Sequence, residues 1–299
     1  MSEPERRRLR TSGGELAYVE LGDAEDPPVV LLHGFPTSSF LWRRFAPLLS
    51  PWMRVIAPDL LGCGDSDKPV GVELGLRAQT GYVRELLGAL GVSTFAVVGH
   101  GVGGGIAQLL ALEGGARTIV LIDSIAFDGW PSPMAREARD RADRMTEGSV
   151  EELVERFLHE SVRHRERLEP GALEGYLRPW RGGEGATAFF RFLDALDGEG
   201  LAGRERELER LEIPVFVLWG EDDPYLPPAL AERLGETIST ASVALLPGCS
   251  HLLPEDAPET LAPLLFEYLR SRYLQTPHTH EAGPVVVELG RRPPGEEDT

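Results

Sequence analysis

The stretch "VVGHGVGGG", residues 97–105, decides the fold that this sequence predicts. It ends an apolar, β-rich run and opens a helical pattern, and small residues at 99 and 103 flank an apex at Gly101. This is the pattern of a sharp strand-to-helix turn that presents a reactive side chain. An ordinary glycine-rich turn is the alternative. A dinucleotide-binding loop is disfavoured, because the accompanying acidic residue and a place in the first strand–helix–strand unit are lacking.

Strand-like and helix-like patterns alternate along most of the chain. Continuous apolar runs indicate strands that are buried on both faces of a sheet. Such runs lie at 16–21, 27–34, 53–59, 95–99, 118–123, 213–220 and 242–247. Helical candidates lie at 40–49, 78–90, 102–113, 228–237 and 257–272. This alternation predicts an α/β class with a mostly parallel central sheet flanked by helices.

The alternation stops between residues 127 and 210. Two helical stretches lie inside this segment, at 149–162 and 186–196. Ser149, with Glu152 three residues later, is predicted to form a capping box at the start of the first stretch. We interpret the segment as a helical cap over the sheet rather than as a separate helical domain, because the sheet pattern resumes directly after it.

The predicted domains follow from this interruption. The core comprises residues 1–126 and 211–274, and the helical cap at 127–210 is inserted between its two parts. The tail at 275–299 is polar and rich in Pro and Gly, which predicts disorder. Within the tail, the apolar run at 285–289 fits a strand at a sheet edge.

Composition restricts the partners of the chain. It carries 30 Lys and Arg against 48 Asp and Glu, which gives a net charge of −18. This charge repels nucleic acid and anionic membranes, so the expected partner is a small molecule. Cys63 and Cys249 have no metal-ligand spacing, and neither a metal nor a cofactor is expected. A polar N-terminus with no apolar segment behind it predicts a cytoplasmic protein, and the oligomeric state stays open.

An acid and a histidine follow the glycine-rich turn in chain order. The stretch "WGEDDPYLP" (219–227) places Asp223 at the exit of a predicted strand. The stretch "LPGCSHLLPE" (246–255) places His251 on the loop after the next strand. Turn, acid and histidine follow one another in the same order in a known class of hydrolytic triads built on parallel sheets.

On these motifs the chain resembles the α/β-hydrolase superfamily, and within it the branch of haloalkane dehalogenases and epoxide hydrolases. The resemblance runs from about residue 10 to residue 273 and also rests on "LLHGFPTSSFLWRRFAPLL" (31–49) and "VIAPDLLGCGDSDKP" (55–69). It implies an α/β-hydrolase fold whose sheet carries an inserted helical cap.

The resemblance implies roles for the polar residues. His251 is the general base, and Asp223 orients its imidazole ring. Asp123, at the end of the strand after the turn's helix, is an alternative acid, and the adjacent Asp222 is another. His100 is expected to point away from the substrate pocket.

The resemblance also implies an oxyanion hole and a pocket. The backbone N–H groups of Phe35 and Val102 are the expected donors to a developing negative charge. An apolar substrate is expected in a pocket formed by Trp42, Asp123, Phe127, Trp130 and Tyr176.

The sequence departs from this family at three places. Gly101 has no nucleophilic atom, so no covalent intermediate can form at the apex. Phe35 and Val102 stand where many dehalogenases have the Asn and Trp that bind halide. Epoxide hydrolases use cap tyrosines to protonate the epoxide oxygen, and the predicted cap contains Tyr176 alone.

Three functions therefore stay open. The preferred one is a non-covalent catalyst in which His251, held by Asp223, acts as general base above the vacant Gly101 position in a lyase, cyclisation or direct hydrolysis reaction. The second is an inactive variant of a covalent hydrolase, natural or engineered, that lacks its nucleophile. The third is a protein that binds a small ligand without reaction.

Overall fold

A single eight-stranded sheet forms the centre of the molecule, of which the computed structural model describes residues 5–140, 146–196 and 200–274. The strands are β1 Arg6–Arg10, β2 Glu15–Leu21, β3 Pro28–Leu32, β4 Arg54–Pro58, β5 Phe95–His100, β6 Ala116–Ile122, β7 Val215–Gly220 and β8 Ala241–Leu246. Their order in the sheet is β1-β2-β4-β3-β5-β6-β7-β8. The β1–β2 and β2–β4 pairs are antiparallel, and all other pairs are parallel. This confirms the predicted mostly parallel sheet.

Burial explains which strands the sequence patterns predict. Strands β5 and β7 are buried along their whole length between parallel neighbours, so each appears in the sequence as a continuous apolar run. The patterns miss β1, whose sequence RRRLR contains four arginines. It is an edge strand, where charged side chains are common, and Arg7 forms an ion pair with Glu20 of β2.

Helices flank the sheet and fill the chain between β6 and β7. They are α1 Ala46–Leu49, α2 Leu76–Ala89, α3 Val102–Glu113, α4 Pro133–Asp140, α5 Glu147–Ser161, α6 Ala172–Leu177, α7 Gly182–Ala195, α8 Glu205–Leu208, α9 Ala229–Thr237, α10 Leu253–Asp256 and α11 Pro258–Leu269. Within the described residues between β6 and β7, every regular element is helical. In the part of the chain that the structure describes, no helix is long and apolar enough to cross a bilayer. The predictions for 275–299 and 285–289 lie outside the described residues.

The predicted capping box at Ser149 and Glu152 is wrong. Helix α5 begins earlier, and its N-cap is Thr146, whose side chain accepts a hydrogen bond from the Ser149 backbone N–H at 3.2 Å. The Ser149 hydroxyl donates back to the Thr146 carbonyl oxygen at 2.9 Å. Threonine is itself a good N-cap residue, so the helix gains most of a turn by starting there.

Four loops converge at one edge of the sheet. They follow β5, β6, β7 and β8, and they carry Gly101, Asp123, Asp223 and His251. Because these four strands are parallel, their carboxyl ends lie on the same side of the sheet. The topology therefore assembles residues that are up to 150 positions apart in the chain.

Candidate active site

The turn after β5 places Gly101 at the N-cap of α3, with φ 53° and ψ −117°. Residues other than glycine adopt this backbone conformation only under strain. The glycines on either side are required by close packing. A Cβ on Gly99 would lie 2.3 Å from the Gly103 carbonyl oxygen, and a Cβ on Gly103 would lie 2.3 Å from the Leu32 carbonyl oxygen.

The space above Gly101 is open towards His251. A Cβ built on Gly101 lies 3.5 Å from Gly34 Cα and 3.8 Å from His251 Nε2, which are ordinary contact distances. The apex therefore differs from its two glycine neighbours, because close packing does not forbid a side chain there. The atom that would face such a side chain is the ring nitrogen of His251.

His251 and Asp223 form a buried hydrogen-bonded pair. The ring Nδ1–H donates to Asp223 Oδ2 at 2.8 Å, since a carboxylate can only accept. The other carboxylate oxygen accepts the backbone N–H groups of Tyr225 at 2.8 Å and Leu226 at 3.0 Å. These bonds fix the carboxylate, and the carboxylate fixes the ring so that Nε2 is directed at the apex.

Asp123 lies behind this pair, and its hydrogen bonds and its pKa differ from those expected of a charged carboxylate. Its Oδ1 accepts the Gly220 backbone N–H at 2.8 Å, and its buried Oδ2 has no hydrogen-bond partner within the described residues. Burial, and next the nearby Asp223 carboxylate, raise the pKa of Asp123 well above its usual range. The Nδ1–H of His251 bonds to Asp223 and not to Asp123, so Asp223 is the carboxylate that holds the ring. The half-exposed Asp222 lies beside Arg163, so Asp223 is the acid of the pair.

Asp123, Asp223 and His251 also deserve comparison with a metal centre. One potential ligand atom from each lies within 4.8 Å of the others. However, the bond from His251 Nδ1–H to Asp223 already occupies the two atoms that face each other. These side chains therefore fit a hydrogen-bonded histidine–carboxylate pair better than a cation site.

Phe35 and Val102, the predicted oxyanion-hole residues, lie beside the apex. Val102 is the first residue of α3, so its N–H has no partner within the helix. Phe35 and Val102 line the same cavity as Gly101 and His251. The Phe35 ring stacks on Phe192 of the cap helix α7, with ring centroids 5.3 Å apart.

A narrow cavity lies over the apex, with about 40 Å³ open to the centres of water-sized molecules. Its walls are mainly aliphatic and aromatic side chains from the core and from α4, α5 and α7. Its polar lining residues are His251, Ser132 and Tyr225, and none of the described lining residues is Lys or Arg. The apolar lining suits a small, largely apolar molecule.

Residues 29–264 match the family model described as "Alpha/beta hydrolase family". The chain belongs to the alpha/beta hydrolase family. This alpha/beta hydrolase is 29% identical over 282 residues to haloalkane dehalogenase 2 of Mycobacterium tuberculosis, a match covering 88% of this chain and 94% of that protein. It is 37% identical over 131 residues to the soluble epoxide hydrolase of Corynebacterium sp. strain C12, covering 42% of this chain and 45% of that protein.

A solved structure gives the same result. An alpha/beta hydrolase fold protein from Burkholderia ambifaria superposes with a TM-score of 0.80 at 30% identity, covering 87% of this chain and 97% of that one. The predicted α/β-hydrolase fold is thereby confirmed, as are haloalkane dehalogenases and epoxide hydrolases among the relatives.

The structure of this alpha/beta hydrolase places some of the expected pocket residues elsewhere. Trp130 lines the cavity, whereas Trp42 is buried in the core against Phe45. Phe127 is buried below the guanidinium group of Arg233, and Asp123 lies behind the pair of His251 and Asp223. These positions correct the expectation for Trp42, Phe127 and Asp123, because apolar and polar residues near the predicted loops are used for packing and for support of the sheet edge.

Tyr176, the tyrosine of the predicted cap, is also absent from the cavity wall. Its hydroxyl donates to the buried Glu255 carboxylate at 2.5 Å. Burial, together with that carboxylate, raises the pKa of Tyr176 well above its usual range. The side chain links α6 to α10, and its hydroxyl proton is already donated to Glu255, which corrects its expected place in the pocket.

Two polar residues that line the cavity of this alpha/beta hydrolase, Ser132 and Tyr225, are not predicted from the sequence. Ser132 caps the start of α4 by accepting the Ala135 N–H at 3.3 Å, and it lines the cavity. Tyr225 follows Asp223 by two residues and donates to Glu160 at 2.7 Å. The Asp-x-Tyr turn after a predicted strand is a signal that could have identified Tyr225. Ser132 has no comparable signal.

Proposed function

We propose that this alpha/beta hydrolase is a non-covalent general-base catalyst in which Gly101 stands at the position of the missing nucleophile. His251, oriented by Asp223, removes a proton from a water molecule or from the substrate above Gly101. One observation carries the proposal. The 3.8 Å separation between His251 Nε2 and the Cβ position of residue 101 leaves room for a reacting atom that does not belong to the protein.

In the hydrolytic form of the reaction, residues of this chain can accept and return every proton that moves. Neutral His251 accepts a proton on Nε2 while the water oxygen forms a bond to an electrophilic carbon of the substrate. The N–H groups of Phe35 and Val102 stabilise the negative charge that develops on the substrate oxygen. The bond between that carbon and the leaving group then breaks, and the imidazolium, held by Asp223, gives its proton to the leaving group. In a lyase or cyclisation reaction, the same nitrogen removes a proton from the substrate and no water enters the product.

The cavity and the charge of the protein support a substrate class. Apolar walls with the hydroxyl of Ser132 as a polar contact favour a small, uncharged and largely apolar substrate. The net charge of −18 supports a small-molecule partner over nucleic acid or an anionic membrane.

A second candidate is a covalent hydrolase that has lost its nucleophile. A Cβ at residue 101 would meet only ordinary contacts, at 3.5 and 3.8 Å, and this supports the idea that Asp or Ser can be restored there. On this proposal the present protein binds its ligand and does not convert it.

Four proteins distinguish the candidates. The wild type, His251→Ala, Gly101→Asp and Gly101→Ser are each incubated with uncharged epoxides, haloalkanes, esters and lactones in ¹⁸O-labelled water, and products are identified by mass spectrometry. General-base catalysis predicts turnover by the wild type and a loss on the order of a thousandfold in His251→Ala. Equal turnover in His251→Ala would contradict it.

The other outcomes are equally informative. A silent wild type with an active Gly101→Asp or Gly101→Ser variant supports the second candidate. If none of the four gives a product while His251→Ala still binds a cavity ligand tightly, the protein is a ligand-binding member of the family.

A further inference from the structure

The backbone around His251 is held largely by the cap. The Leu252 N–H donates to the Ser161 carbonyl oxygen at 2.9 Å, and the Ser250 hydroxyl donates to the Glu160 carbonyl oxygen at 2.9 Å. Glu160 and Ser161 are the last two residues of α5. The final carbonyl groups of a helix have no partner within it. The loop that carries His251 therefore supplies the donors that complete the end of a cap helix.

A core contact completes the support of this loop. The His251 carbonyl oxygen accepts a hydrogen bond from His100 Nε2 at 3.0 Å. Burial, and next the nearby His251, lower the pKa of His100 well below its usual range, so that ring stays neutral and donates from Nε2. Since His100 directly precedes Gly101, this bond ties the base loop to the apex turn.

Asp256 joins the base loop to the cap through one carboxylate. It is the last residue of α10 and is fully buried. Its Oδ2 accepts the Ser250 N–H at 2.7 Å, and its Oδ1 accepts the His164 N–H at 2.8 Å. The Asp256 carbonyl oxygen accepts a further bond from Arg167 at 2.8 Å. Ser250 directly precedes His251, whereas His164 and Arg167 lie beyond α5 in the cap segment.

We propose that Asp256 is a positioning residue, which holds His251 at its distance from the apex by accepting the backbone N–H groups of Ser250 and of His164 in the cap segment at the same time. The inference rests on the proposed function for the importance of that distance, but the structural coupling does not depend on turnover. Hydrogen bonds from backbone N–H groups to a carboxylate are short and strong. Loss of either bond weakens the connection between the loop and the cap, so the position of the base depends on how residues 160–167 are docked.

The neighbouring Glu255 supplies a matched control. It is also fully buried on α10, and its carboxylate binds the side chains of Arg43 and Tyr176. Glu255→Gln thus removes a buried negative charge one residue away without touching the backbone next to His251. Asp256→Asn removes a charge of the same kind and turns an amide NH₂ towards one of the two N–H groups.

Two measurements on full-length protein test the proposal. The proton on His251 Nδ1 gives a downfield signal in the NMR spectrum, and hydrogen exchange reports the amides of residues 250–252 and 161–164. Asp256→Asn should shift or broaden the signal and speed exchange in both segments by about tenfold or more. Glu255→Gln should lower the melting temperature and leave the signal and the exchange of 250–252 unchanged.

An unchanged signal and unchanged exchange in Asp256→Asn would overturn the proposal, and so would equal changes in Glu255→Gln. If Asp256→Asn does not fold, Asp256→Glu keeps the charge but moves the carboxylate by one methylene group and should still shift the His251 signal; an unchanged signal in that variant would overturn the proposal. Because neither measurement uses a substrate, a negative activity screen removes the proposed function and leaves this result intact.

Discussion

Replacing Gly101 by alanine tests whether the space above the apex is used. The substitution adds a methyl group where φ is 53° and ψ is −117°. The contacts of that methyl group, 3.5 Å to Gly34 Cα and 3.8 Å to His251 Nε2, add little steric cost. The backbone strain dominates, and we expect the free energy of unfolding to fall by about 1–3 kcal/mol.

Gly114, at the other end of α3, supplies the matched control. Its φ is 92° and its ψ is 165°, and a Cβ there would have no neighbour within 4 Å among the described atoms. Gly114→Ala should therefore cost a similar free energy of unfolding without adding an atom near His251. Denaturant titrations followed by tryptophan fluorescence measure both variants against the wild type.

Turnover separates the two alanine variants. In Gly101→Ala the methyl group occupies the space that a water molecule or a substrate atom needs beside His251 Nε2, so kcat/KM should fall by about tenfold or more, equivalent to about 1.4 kcal/mol. Gly114→Ala should keep the wild-type value. Unchanged kcat/KM in Gly101→Ala would refute the use of this space, and a loss of stability above about 4 kcal/mol would refute the inference that a Cβ fits.

Two further predictions concern the buried side chains of Asp123 and Tyr176. The raised pKa of Asp123 means that the folded state holds its proton more tightly, so this stabilisation is complete below the unfolded pKa of about 3.9 and is lost as pH rises through the folded value. Asp123→Asn stays uncharged, and its melting temperature should fall less than that of the wild type from about pH 4 upwards; parallel curves would contradict this. Tyr176→Phe should lower the free energy of unfolding by about 1.5–3 kcal/mol, because a buried bond to a carboxylate is lost, and should leave kcat unchanged. A fall in kcat with unchanged stability would contradict this and would indicate that Tyr176 takes part in the reaction.

The fold and the order of the site loops are predictable because they depend on strong local patterns. Strands such as β5 and β7 are buried on both faces, and each loop of the site directly follows such a strand. The choice between Asp123 and Asp223 is not local, because both residues follow strands, and burial and charge distinguish them only in the folded protein. The same limit applies to Trp42 and Tyr176, since an aromatic side chain near a predicted loop can face either the core or the cavity.

The buried polar pair bears on whether this alpha/beta hydrolase catalyses a reaction. Asp223 and His251 are desolvated, and Asp123 adds a buried oxygen without a hydrogen-bond partner in the described residues. Replacing buried charged groups by well-packed apolar residues is often neutral or stabilising. A pocket that only holds an apolar ligand has no need for them, whereas proton transfer requires them. The effect of Gly101→Asp therefore distinguishes a lost covalent mechanism from a present non-covalent one. A gain of activity identifies the pair as the remainder of a covalent mechanism, and a loss of wild-type turnover identifies the glycine as part of the present one.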